Sequence, residues 1–130
     1  MIEFLAVAFG GAAGSVSRLY AGRLVMSITG GTFPLGTMVV NITGAIIIGF
    51  FAALAEPESR FFISANTRLL LMTGFCGGYT TFSTFSLETV ALMSDGQWIG
   101  ASINVLGSVL LCLAGVWLGS ILGELLAGGI

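Results

Sequence analysis

Residues 73–86 read Thr-Gly-Phe-Cys-Gly-Gly-Tyr-Thr-Thr-Phe-Ser-Thr-Phe-Ser, inside a stretch long enough to cross a bilayer. Glycines and clustered hydroxyls are poor material for a lipid-facing helix. At membrane depth such backbone is tolerated only where protein buries it or a wet cavity borders it. The segment therefore points to a membrane protein that handles small ions or polar solutes near its midplane.

Gly74, Gly77 and Gly78 flank Cys76 and weaken a helix there, so the spacing predicts a break at this point. A break releases carbonyls from their partners four residues on. Inside a membrane they need a substitute, either a hard cation such as Na⁺ or the hydroxyls of Thr80 and Thr81. A simple hinge or close-packing contact would use the same glycines. Phe82 and Phe85 are neighbours on one helix face and alternate with Thr81, Ser83, Thr84 and Ser86. Aromatic edges are partly positive, so together with hydroxyl donors they could hold a small anion. Thr81, Thr84 and Glu88 fall on one face that ends in a carboxylate.

Other polar groups lie at depth. Asn41 sits one turn after Thr37, and Gly100, Asn104, Ser108 and Cys112 form a row. Amides and hydroxyls donate to anions without burying a full cation; they also tie helices together, and the sequence leaves both roles open for Asn41, Asn104 and Ser108. Arg18 is costly within a membrane helix. It fits an aqueous vestibule that attracts anions, or it snorkels to the interface.

The elements that must position these groups follow from composition. Of 130 residues, 56% are hydrophobic and only 8% charged, against about 25% charged in a soluble domain. The bilayer is the expected solvent. A crossing needs about 20 mostly apolar residues, and four stretches qualify, at about 4–26, 34–55, 69–93 and 98–122. The expectation is a single all-α membrane domain over 1–130, with the third helix broken near its middle. Met1-Ile2-Glu3 carries an acid where a secretory signal needs basic residues, so the first segment is expected to be a crossing. Rows Ala6, Gly10, Gly14 and Gly115, Gly119, Gly123 let backbones approach closely in lipid.

With no histidine and no lysine, His-ligated metal sites and His-based triads are excluded. No basic patch offers nucleic acid a surface. Cys76 and Cys112 each lie in an apolar run and read as small core residues. An enzyme is not expected, since Glu88 alone could serve the hydroxyls as a base. Arg18 and Arg23 fall towards the first loop, Arg60 and Arg68 towards the second, on the opposite side. Arginine bias normally orients a membrane protein; here it cancels. Either another signal fixes one topology, or the chain inserts both ways and pairs as an antiparallel homodimer.

Residues 74–88, Gly-Phe-Cys-Gly-Gly-Tyr-Thr-Thr-Phe-Ser-Thr-Phe-Ser-Leu-Glu, resemble the signature of the Fluc (CrcB) fluoride channels. Gly36-Thr37 with Val40-Asn41, Arg18, and Gly107-Ser108 extend the resemblance to all four stretches. The resemblance implies an antiparallel dual-topology homodimer in the plasma (inner) membrane, with two fluoride pores. It implies a structural Na⁺ at the dimer centre on the backbone carbonyls of Gly77 and Thr80. It places Asn41, Phe82, Phe85 and Ser108 at the pore, and Thr37, Ser83, Thr84 and Glu88 along a polar track. Asn104 departs from the small residue expected at its position.

The implied physiology is consistent physically. Neutral HF crosses lipid and dissociates in a neutral cytoplasm. An inside-negative potential then drives fluoride out, at roughly 2.3 kcal/mol per charge per 100 mV. The rival reading is a small multidrug-type proton-coupled transporter, with Glu88 as its carboxylate. A non-conducting assembly subunit is a third. A potassium filter is set aside, because Gly78-Tyr79-Thr80 has its composition but not its order.

Overall fold

A computed structural model describes residues 1–57, 59–61 and 63–128, and among these the chain is entirely helical. Helix α1 spans Ile2–Thr29 and stops at Gly30, whose φ of 61° is left-handed. Glycine adopts that conformation without a Cβ penalty, and the Gly30 N–H returns to Met26 O at 2.9 Å. Helix α2 spans Leu35–Leu54 after Pro34. Ser64 then caps α3, Ala65–Arg68, by accepting the Thr67 N–H. The chain continues through a π-helical run, Leu69–Cys76, into α4, Gly77–Tyr79. After a two-residue interruption come α5, Phe82–Ser94, and α6, Trp98–Ala127.

Helices α1, α2 and α6 are each long and apolar enough to cross a membrane. The segment 65–94 is divided, and none of its pieces reaches that length alone. Its interruption lies at Thr80–Thr81, C-terminal to the glycines around Cys76 where the sequence predicts it. The glycines stay helical because α1 packs against them. A methyl on Gly10 would fall on the Leu70 carbonyl and meet Gly74 Cα at 3.0 Å; one on Gly78 would meet Gly11 Cα at 3.0 Å. With no water available, a helix held on a neighbour's backbone keeps its own hydrogen bonds.

Helix α6 packs mainly on α2. Gly115 and Gly119 lie against Ile42 and Ile46, and Gly123 against Phe50 and Ala53. Both glycine rows thus sit at close helix contacts. The core is thin: the largest fully enclosed side chains are Val40, Asn104 and Cys76. Long apolar side chains such as Phe9, Leu110 and Trp117 point outward, as suits lipid or a second chain. Cys76 is buried, Cys112 half-buried, and both are free thiols.

Candidate functional site

The interruption is built from side chains. Thr80 closes the preceding turn, its N–H and its hydroxyl both donating to Cys76 O at 2.9 Å. It then turns to extended backbone, as does Thr81. Asn41 on α2 grips the Thr81 residue at both ends: Thr81 N–H donates to Oδ1 at 2.7 Å, and Nδ2 donates to Thr81 O at 3.0 Å. The amide's orientation is fixed, because a backbone N–H only donates and a carbonyl only accepts. The Thr81 hydroxyl caps α5 by accepting the Thr84 N–H at 3.2 Å. Gly77 O and Thr80 O receive no hydrogen bond among the described residues. Tyr79 anchors the turn to α2 through a 3.0 Å hydroxyl bond with Thr43, and stacks on Phe75.

Beside this interruption lies a cavity of about 760 Å³. It runs from loop residues Thr32, Asp95 and Gln97, past Arg18 and Arg23, to Thr81. Thr37, Thr84 and Glu88 line it as well. Thr81 donates to Thr84 Oγ1 at 3.0 Å, and its hydroxyl pairs with Ser83 Oγ at 3.2 Å. The Thr37 hydroxyl donates to Glu88 Oε1 at 2.8 Å, while Glu88 Oε2 is buried without a partner among the described residues. A row of hydroxyls ending in a carboxylate therefore borders one wall, and two guanidinium groups stand on another. Asp95 and Glu88 line the same cavity, so its two cations are matched in number by two acids.

Phe82 and Phe85 lie with ring centroids 5.3 Å apart, tilted by 45°. Phe85 is 8% exposed and Phe82 77% exposed, so one ring is inside the bundle and the other faces out. Behind Phe85, the Thr89 hydroxyl donates to Phe85 O at 2.7 Å and accepts from Asn104 Nδ2 at 2.9 Å. Asn104 is 1% exposed and ties α6 to α5 there. Ser108 Oγ is buried with no partner among the described residues.

The structure thus gathers Arg18, Thr37, Thr84 and Glu88 on one cavity and joins Ser83 to its floor. Asn41 holds Thr81 at the interruption, Thr80 precedes it, Gly77 opens the short helix before it, and Phe85 lies in the first turn after it. Phe82 and the outward face of Gly77 open away from the chain's own core. The sequence reading gave no site role to Arg23, Thr32, Asp95 and Gln97, which share the cavity, or to Thr89. Only the N-cap pattern of Thr81 before Phe82 could have flagged where α5 restarts.

Residues 5–120 match the family described as CrcB-like protein, Camphor Resistance (CrcB). A protein of Opitutus terrae named fluoride-specific ion channel FluC is 53% identical over 93% of this chain and 92% of its own length. Proteins with the same name from Rhodospirillum rubrum and Paramagnetospirillum magneticum are 48% and 45% identical, over 99% and 93% of this chain and 100% and 94% of theirs. With three membrane-length helices and this match along nearly its whole length, the chain is a multi-pass membrane protein and belongs to the CrcB (FluC) family.

Proposed function

We propose that this chain is a passive, fluoride-selective channel that lowers cytoplasmic fluoride and so confers fluoride resistance. The observation that carries the reading is the cavity ending at Thr81, with hydroxyls of Thr37 and Thr84 leading to the interruption beside Phe85. Such a passage replaces fluoride's water shell with hydroxyl, amide and aromatic-edge donors. Asn41, Phe82, Phe85 and Ser108 form the narrow part, and Thr37, Ser83, Thr84 and Glu88 the polar track. The relatives' shared name supports fluoride as the permeant ion.

The working unit in this reading is an antiparallel homodimer in the plasma (inner) membrane, with both orientations inserted, four crossings per chain and two pores. Balanced arginines support dual insertion. The segment 65–94 serves as the third crossing, its interruption covered by protein. A structural Na⁺ sits at the dimer centre. Carbonyl oxygen is the ligand type a hard cation takes, and Gly77 O and Thr80 O lack donors. One chain offers too few ligands for a full shell, and a second copy doubles them. Bound there, the ion would fix the two interruptions together.

The test is efflux from proteoliposomes under a K⁺/valinomycin potential. Rapid fluoride release without chloride release is expected. No fluoride flux from a folded dimer would overturn the channel reading. The partnerless Oε2 of Glu88 inside the cavity gives the second reading, a proton-coupled multidrug-type transporter, its one specific support. That reading requires proton-dependent efflux of a lipophilic cation, abolished by Glu88→Gln.

A further inference from the structure

In an unbroken helix the Thr81 N–H would close on Gly77 O and the Thr84 N–H on Thr80 O, each four residues back. Both donors are diverted. Thr81 N–H goes to Asn41 Oδ1 at 2.7 Å, and Thr84 N–H goes to Thr81 Oγ1 at 3.2 Å. These diversions release Gly77 O and Thr80 O; between them Tyr79 O likewise receives no hydrogen bond among the described residues, and Gly78 O accepts only from Ser15 Oγ at 3.5 Å. The flanking carbonyls are engaged: Cys76 O accepts from Thr80 N–H and hydroxyl, and Thr81 O accepts from Asn41 Nδ2.

We infer that the Asn41 amide and the Thr81 hydroxyl are positioning residues for the central cation, each diverting one N–H so that one carbonyl is free to ligate. This rests on the proposed Na⁺ at Gly77 O and Thr80 O. Asn41 releases Gly77 O, and its second hydrogen bond, Nδ2 to Thr81 O at 3.0 Å, holds the Thr81 residue against rotation. Thr81 releases Thr80 O and restarts the helix as α5. Asn41 is also assigned to the pore, so the anion path and the cation site share a single amide. Side chains that hold a ligating group in place orient the ligands a metal sees.

The experiment measures the Na⁺ concentration that half-saturates thermal stabilisation of the purified dimer, with N-methylglucamine replacing Na⁺. K⁺ and Li⁺ serve as controls. Thr81→Val and Asn41→Leu are expected to raise that concentration about tenfold or more, the usual size of an outer-shell loss. Thr81→Ser keeps the hydroxyl cap and is expected to stay within a few-fold of the unaltered chain. A structural role alone would lower the Na⁺-free melting temperature and leave the half-saturating concentration unchanged. Unchanged Na⁺ affinity in Thr81→Val, or an equal loss in Thr81→Ser, overturns the inference. If Asn41→Leu does not yield a folded dimer, the Thr81 pair still decides it. No Na⁺ dependence in the unaltered chain would instead remove the proposed cation itself, which separates the two failures.

Discussion

At the residue scale, the informative groups are those with an unmet or borrowed partner. Glu88 holds one oxygen on Thr37 and leaves the other unmet. Thr37→Val would strip the remaining donor, and a buried acceptor left alone costs about 1–3 kcal/mol. We expect a lower melting temperature in detergent and slower fluoride efflux. Phe85 is buried and tied through Thr89 to Asn104. An aromatic contact contributes about 1 kcal/mol, so Phe85→Ile and Phe82→Ile should each slow fluoride efflux several-fold in the liposome assay. Intact conduction in both would remove the aromatic edges from the selectivity argument. The residue types were readable because hydroxyls and amides stand out against an apolar chain. Their partners were not. Asn41 meets Thr81 forty residues away, and Asn104 meets Thr89 across a turn. Nothing local encodes such pairings.

Among the elements, glycine decides which helices touch. A methyl at Gly119 would fall on the Ile46 carbonyl and lie 2.9 Å from Phe50 N, whereas at Gly22 it meets nothing within 4 Å. Gly119→Ala should therefore cost about 1–3 kcal/mol through overpacking, while Gly22→Ala should leave stability level or raise it by about 0.5–1 kcal/mol. Thermal unfolding of the two variants side by side checks this. Long apolar runs and four-residue glycine rows are local patterns, so α1, α2, α6 and their capacity for close approach could be foreseen from the sequence, but not which helix each row meets. The site of the interruption could not. Glycine's intrinsic weakness pointed to the stretch around Cys76, but α1 holds that stretch helical. The chain breaks instead where Asn41 and the Thr81 hydroxyl can replace the lost backbone pairs.

For the whole molecule, the proposed pairing of two chains makes two predictions. A methyl built on Gly77 meets nothing within 4 Å beyond its own helical turn among the described residues. Gly77→Leu should leave the single chain folded yet break the dimer, seen as a monomer by light scattering. An unchanged dimer would move the two-fold axis elsewhere. Arginine balance should be equally easy to upset. Ser94→Lys and Asn66→Lys, which the proposed four crossings put on opposite sides of the membrane, should each bias insertion one way. Each alone should lower fluoride efflux, and co-expression should restore it. The cavity has an electrical consequence as well. Once open to water from the loops to Thr81, it carries bulk potential to its floor, so the applied voltage falls across the short dry remainder of the protein. Arg18 and Arg23 then lie at almost no electrical distance from the bath. They would set how many anions wait at the constriction, an effect that salt screens within about 8–10 Å, while the steepness of current with voltage would be decided beyond Thr81.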